Sequence, residues 1–198
     1  MEDKTLRPEE SLALIQGLMT QAKNKLADNG FYIILWGWLV FSASVLTYVS
    51  LLLGSDLGSL SWPVLMPLGA IVTLVYSRKS RRNDKVRTYV EHYLTFLWIA
   101  FGIALSLCLI MMGKHGLEAS YFFLMLLYGM ATFISGGLLN FRPLIIGGIF
   151  SFAIALLSAF VEPREVLLCL ALSMLSSYII PGHLLQARYK SENHVQGS

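Results

Sequence analysis

The chain has 198 residues, of which 56% are hydrophobic and 14% charged, with a net charge of +3 and a mean hydropathy of +0.63. Soluble globular domains carry about 25% charged residues, so this composition excludes an ordinary soluble enzyme and points to one polytopic membrane domain. Six of the fifteen basic residues crowd between Arg78 and Arg87 beside an apolar run, which argues for a cytoplasmic loop and against direct binding of nucleic acid.

Residues 1–30 read as an amphipathic helix on the cytoplasmic side. Pro8 suits a first helical turn, Glu9 and Glu10 complement the positive end of the dipole, and Leu12, Ile15, Met19, Ala22 and Leu26 line one face. Asp28-Asn29-Gly30 supplies the expected stop. The polar, acidic character of this segment gives no cleavable signal peptide, so the next apolar run is expected to remain in the mature protein.

That run, Phe31 to Leu53, has 23 residues and no charge. At 1.5 Å per residue such a helix crosses a hydrocarbon core of about 30 Å. Further spans are expected near 60–77, 93–112, 119–139, 143–161 and 166–185, followed by a cytoplasmic tail over 186–198. The expectation is therefore an all-α membrane bundle of six spans. Pro63 marks the start of the second and Pro67 a bend within it, while Pro181-Gly182 breaks or bends the sixth near its end.

Orientation follows from the basic residues. Lys4, Arg7, Lys23, Lys25, the 78–87 loop, Arg142, Arg188 and Lys190 fall on one side, against Lys114 and Arg164 on the other. Both termini are then cytoplasmic. The outer loops are short, which excludes a large external catalytic or binding surface. A faint repeat overlays the spans as three hairpins: Leu35-Trp36-Gly37-Trp38, Leu97-Trp98-Ile99-Ala100 and Ile145-Ile146-Gly147-Gly148 align, as do the stretches beginning at Phe133 and Tyr178.

Chemistry-bearing residues are few. No Asp or Glu stands in a span centre, which removes the usual mark of a proton or ion path. Glu91 and His92 sit at the start of the third span. The four histidines (92, 115, 183 and 194) and two cysteines (108 and 169) form no metal-ligand spacing and no disulfide framework. No catalytic residue and no cofactor is therefore expected. Ser135-Gly136-Gly137 lacks an opposing histidine base at membrane depth and reads as close helix packing, with Gly129, Gly147 and Gly148.

Uncharged polar residues in spans one, four and six either converge on a ligand or bond to neighbouring backbone. A ligand cavity would be lined by Tyr128, Thr132, Ser135, Ser177 and His183. The basic residues Arg78, Lys79, Arg81, Arg82, Lys85 and Arg87 would meet anionic lipid or a protein partner, each basic residue near an anionic leaflet contributing about 1 kcal/mol. Asn140-Phe141-Arg142-Pro143 makes a tight turn between spans four and five.

Four stretches together resemble a family of small, uncharacterised six-span inner-membrane proteins common in Bacteroidota. They are Ser11-Leu12 through Ala22-Lys23-Asn24, Leu35-Trp36-Gly37-Trp38-Leu39-Val40-Phe41, Trp98-Ile99-Ala100-Phe101-Gly102, and Ser135-Gly136-Gly137 through Phe141-Arg142-Pro143-Leu144-Ile145-Ile146-Gly147-Gly148. The resemblance implies a bacterial inner-membrane protein with a role in an envelope response, and it supplies no catalytic residues. The functional expectation is a non-enzymatic protein that binds lipid or a hydrophobic small molecule, or couples the membrane to a cytoplasmic partner. The alternative is a transporter or channel for a small uncharged or amphipathic solute, working as a homodimer through small-residue faces. An intramembrane enzyme is the third reading.

Overall fold

A computed structural model describes residues 8–80, 89–115 and 118–196. Among them every regular element is helical: α1 (Pro8–Leu52), a short 3-10 helix (Asp56–Leu60), α2 (Ser61–Ser80), α3 (Tyr89–His115), α4 (Glu118–Leu138), α5 (Arg142–Ser158), α6 (Val166–Met174), a π turn (Leu175–Ile179) and α7 (Ile180–Gln196). Four stretches are long and apolar enough to cross a membrane: Gly30–Leu52, His92–Met111, Tyr121–Leu138 and Val166–Arg188. The chain is an all-α membrane protein. Helix α5 is apolar but shorter, and α2 carries Pro67 in its interior and ends in Arg78-Lys79-Ser80.

The helix stop expected at Asp28-Asn29-Gly30 is absent, because α1 continues unbroken for 45 residues. A glycine inside a helix costs about 1 kcal/mol relative to alanine, and tertiary packing offsets it here. Gly30 is buried, and a Cβ there would lie 3.3 Å from Gln186 Cγ and 3.7 Å from the Gly182 carbonyl. Gly30 marks the close crossing of α1 with α7. At Pro181-Gly182, where a break or a bend was expected, the helix is not broken. The chain widens into the π turn just before Pro181, with the Ile180 N–H donating to the Leu175 carbonyl, and then resumes as α7. Proline offers no N–H and its ring crowds the carbonyl four residues back, and an upstream π turn is one way for a helix to relieve both.

The core is built from α1, α4, α5 and the α6–α7 helix. The tightest pair is α4 with α5, joined at Asn140, which adopts a left-handed φ of 49°. Phe141 N–H donates to the Gly136 carbonyl at 2.9 Å and Asn140 N–H to the Gly137 carbonyl at 3.2 Å. This double cap stops α4 and turns the chain directly into α5, with Pro143 in the first helical turn. Glycine lets the two backbones meet, since a Cβ on Gly148 would lie 2.9 Å from the Gly129 carbonyl. By contrast, among the described residues the backbone of α2 comes close only to α1 and the 3-10 helix, and that of α3 only to α4. Only 6% of the apolar stretch of α3 is buried, against 50% for α4.

Candidate functional site

The buried hydroxyls of the core mostly satisfy themselves on backbone. Thr132 donates to the Tyr128 carbonyl one turn back at 2.7 Å, and Ser177 to the Ser173 carbonyl at 2.5 Å. Ser151 of α5 donates to the Met125 carbonyl of α4 at 3.0 Å and meets Ser173 of α6 at 2.6 Å. Those of Ser151 knit three helices together.

Three buried hydroxyls stay outside this pattern. Ser44, Ser135 and Tyr178 have no hydrogen-bond partner, although each residue is at most 2% exposed. Ser135 and Tyr178 line one interior gap, too narrow for a water molecule, together with Ile33, Trp98, Thr132 and Leu144. The Tyr178 ring packs edge-on against Tyr128, centroids 5.5 Å apart, and Tyr128 in turn meets Phe101 of α3 at 5.3 Å. Helices α1, α3, α4 and α5 and the π turn thus each contribute to the lining of this gap.

Of the five residues expected to line a ligand cavity, Thr132 and Ser135 stand in the lining of this gap and Tyr128 lies directly behind it. Ser177 is turned away onto the Ser173 carbonyl, and His183 is exposed on α7. Tyr178 takes the place expected of Ser177. Regular helical spacing separates these neighbours by about 100°, and the π turn resets which of them faces inward. Trp98 and Ile33 were not legible as wall residues from composition, because an apolar residue in an apolar span carries no positional signal. Among the basic residues, Arg78 is exposed at the end of α2 and Lys79 lies in the last turn of that helix. Arg81, Arg82, Lys85 and Arg87 lie outside the described residues.

A second concavity opens on the surface at the far end of α1. It has a volume of about 570 Å³ and runs between the last turns of α1, the 3-10 helix and the start of α2, with Leu46, Val49, Leu53, Leu57, Leu60 and Val64 on its walls. Its floor is rigid. Ser50 accepts from the Gly58 N–H at 2.8 Å and donates to the Ser55 carbonyl at 2.5 Å. Trp62 Nε1–H donates to Thr47 Oγ1 at 3.1 Å, while Ser61 donates to the Gly58 carbonyl at 2.6 Å. Gly58 makes this possible, since a Cβ there would overlap Ser50 and lie 2.8 Å from the Leu46 carbonyl. The surface that faces the opening is mostly aliphatic, with Ser50, Ser55 and Ser61 among the lining residues, so the groove suits a hydrocarbon chain.

Among the described residues, no three His, Cys, Asp or Glu side chains converge where a metal could sit. Comparison of the chain with models of protein families, with curated proteins and with solved structures finds no match in any of the three.

Proposed function

We propose that this protein is a non-enzymatic, six-span component of the bacterial inner membrane, with both termini cytoplasmic. In this reading it binds lipid through the surface groove and couples the state of the membrane to a cytoplasmic partner. The groove carries the proposal. It is open at the surface, mostly aliphatic on its walls, and its floor is tied by hydroxyl bonds among Thr47, Ser50, Ser61 and Trp62, which suits an acyl chain. Preformed apolar sites of this size are the usual form of a small-molecule site. Coupling is supported by α1, which continues past Gly30 as far as Pro8 without a break. The six-span arrangement is supported by the packing of successive pairs α1 with α2, α3 with α4 and α5 with α6 as hairpins. The basic segment 78–87 and residues 1–30 would form the cytoplasmic contact.

Native mass spectrometry after gentle extraction tests the reading. A reproducible lipid adduct, weakened by filling the groove with Val64→Trp, is the expected result. Bare protein at every extraction condition would overturn lipid binding. A second polypeptide bound in its place would leave only the coupling role.

A further inference from the structure

We propose that the part of α1 preceding Gly30 is a docking face for one kind of partner: an amphipathic helix of a cytoplasmic protein whose apolar stripe is bordered by Asp and Glu. This rests on the reading that the chain couples the membrane to a cytoplasmic partner. It adds the residues of the contact and the chemistry of the partner.

The face follows from the phase of the helix. Leu12, Ile15, Met19, Ala22 and Leu26 recur at intervals of three and four residues, the spacing of a helix–helix seam. Within the bundle, α1 buries Gly30, Ile33, Gly37, Val40, Ala43, Ser44 and Thr47. At 3.6 residues per turn the mean directions of the two sets differ by only about 20°. One unbroken helix carries both. The stripe that α6 and α7 cover in the bundle therefore continues past it on the same side of α1.

The helices beside this stripe stop short of its far end. α7 runs antiparallel to α1, since Gly37 lies against Tyr178 and Ile179, and Gly30 against Leu185 and Gln186. Past Gln186, α7 continues to Gln196, about 15 Å, whereas α1 reaches from Gly30 to Pro8, about 33 Å. An α7 that keeps step with α1 ends level with about residue 20. On the other flank, α2 stops at Ser80, one turn after Tyr76, which stacks on Phe31 at 4.2 Å. Leu12 and Ile15 thus lie beyond the reach of both. The segment 81–88, Arg-Arg-Asn-Asp-Lys-Val-Arg-Thr, holds one aliphatic residue and has no apolar face to offer them.

Charge selects the partner. Lys23 and Lys25 fall on opposite borders of the stripe, about 60° and 100° from its centre, while Asp28 falls on the far side of the helix. No Asp or Glu occurs from Ser11 to Ala27. In a second copy embedded in the same membrane α1 runs parallel, so pairing along this seam would set Lys23 and Lys25 of both copies at one height with no acid to answer them. The nearby surface has the same sign: Arg78 is exposed at the end of α2 and Arg142 at the start of α5, and Arg188 lies over the Phe141 ring. A helix with acids beside its apolar stripe complements both the seam and its borders.

The test uses the full chain in phosphatidylcholine discs and two fluorescein-labelled peptides of three heptads, each with Leu at both seam positions, one bordered by Glu and the other by Lys. The Glu-bordered peptide should bind and the Lys-bordered one should not. Lys23→Glu with Lys25→Glu should weaken the first about fivefold, the scale of two exposed ion pairs, and admit the second. Leu12→Ser with Met19→Ser, which adds no charge, should abolish binding. Unchanged helical signal and thermal midpoint show that the variants fold. No binding of the Glu-bordered peptide, equal binding of both peptides, or binding that survives Leu12→Ser with Met19→Ser overturns the proposal. A dimer of the chain that the same double variant dissociates also overturns it and assigns the face to a second copy. Quenching of a dye at Ile15→Cys by spin-labelled lipid, unrelieved by the peptide, overturns it by placing the stripe on the membrane. Each of these failures leaves a lipid adduct in the native mass spectra, and hence the groove, standing. Peptide binding by a chain that is bare in those spectra keeps this face and overturns lipid binding.

Discussion

Ser151 Oγ and Ser173 Oγ lie 2.6 Å apart at the centre of the bundle. Ser151 has one hydrogen, and the Met125 carbonyl 3.0 Å away takes it. Ser173 is therefore the donor between the two hydroxyls, and the relay runs from α6 through α5 to α4. Interhelical hydrogen bonds in membranes average about 0.6 kcal/mol, with a maximum near 1.7. Ser151→Ala should cost within that range in a reversible unfolding assay. The double variant with Ser173→Ala should cost little more, since the first deletion already leaves Ser173 without its acceptor.

Adjacent glycines on α4 should behave in opposite ways. A Cβ on Gly136 would lie 2.7 Å from the Ile145 amide nitrogen and 2.9 Å from Leu144 Cβ, whereas one on Gly137 would meet nothing within 4 Å. Gly136→Ala forces α5 away from α4 and should destabilise by about 1–3 kcal/mol, the usual range for overpacking. Gly137→Ala should be neutral or mildly stabilising through its better helix propensity. Thermal midpoints of the two purified variants, compared side by side, check the contrast.

Hydroxyl deletions on α1 should also split by partner. Thr47 Oγ1 lies 2.8 Å from the Ala43 carbonyl and accepts from Trp62 Nε1–H at 3.1 Å. Thr47→Ala leaves the indole N–H without its acceptor, a loss of about 1–3 kcal/mol if that donor stays buried, and loosens the floor of the groove. Ser44 is fully buried with no partner, so Ser44→Ala removes an unsatisfied group and should leave stability unchanged or raised. A fall in thermal midpoint for Ser44→Ala as large as that for Thr47→Ala would contradict the assignment.

Orientation is open to direct test. With both termini cytoplasmic, a single cysteine at Ser59→Cys should react with an impermeant thiol reagent in intact cells, while Ser80→Cys and Ser191→Cys should react only after permeabilisation. Replacing Arg78, Arg81 and Arg82 together by Gln should lower binding to phosphatidylglycerol vesicles. Unchanged binding would reduce the basic segment to a topology signal.

The helical class and its membrane character were legible in the apolar runs, because hydrocarbon enforces both length and composition. Helix ends were less so. Asn29-Gly30 and Pro181-Gly182 carry the residue types of a stop, yet Gly30 and Gly182 lie on the α1–α7 crossing, where a Cβ on Gly182 would lie 2.6 Å from Ile34 Cγ1. Small residues serve both termination and close approach, and one chain does not tell them apart. The interior gap was half legible for a related reason. Thr132 and Ser135 follow regular spacing on α4, but Tyr178 reaches the same space only because the π turn alters the phase of its helix.

The unbroken course of α1 across Gly30 has a mechanical result. From Gly30 to Pro8 the helix runs on for about 33 Å at 1.5 Å per residue. A rod of that length is a lever, and a 10° tilt pivoting at the α7 crossing sweeps its tip through roughly 6 Å. A jointed segment would absorb such a tilt at the hinge. An unbroken helix does not, so under the proposed coupling role small changes in the angle of α1 within the bilayer would become displacements on the scale of a side chain at its far end.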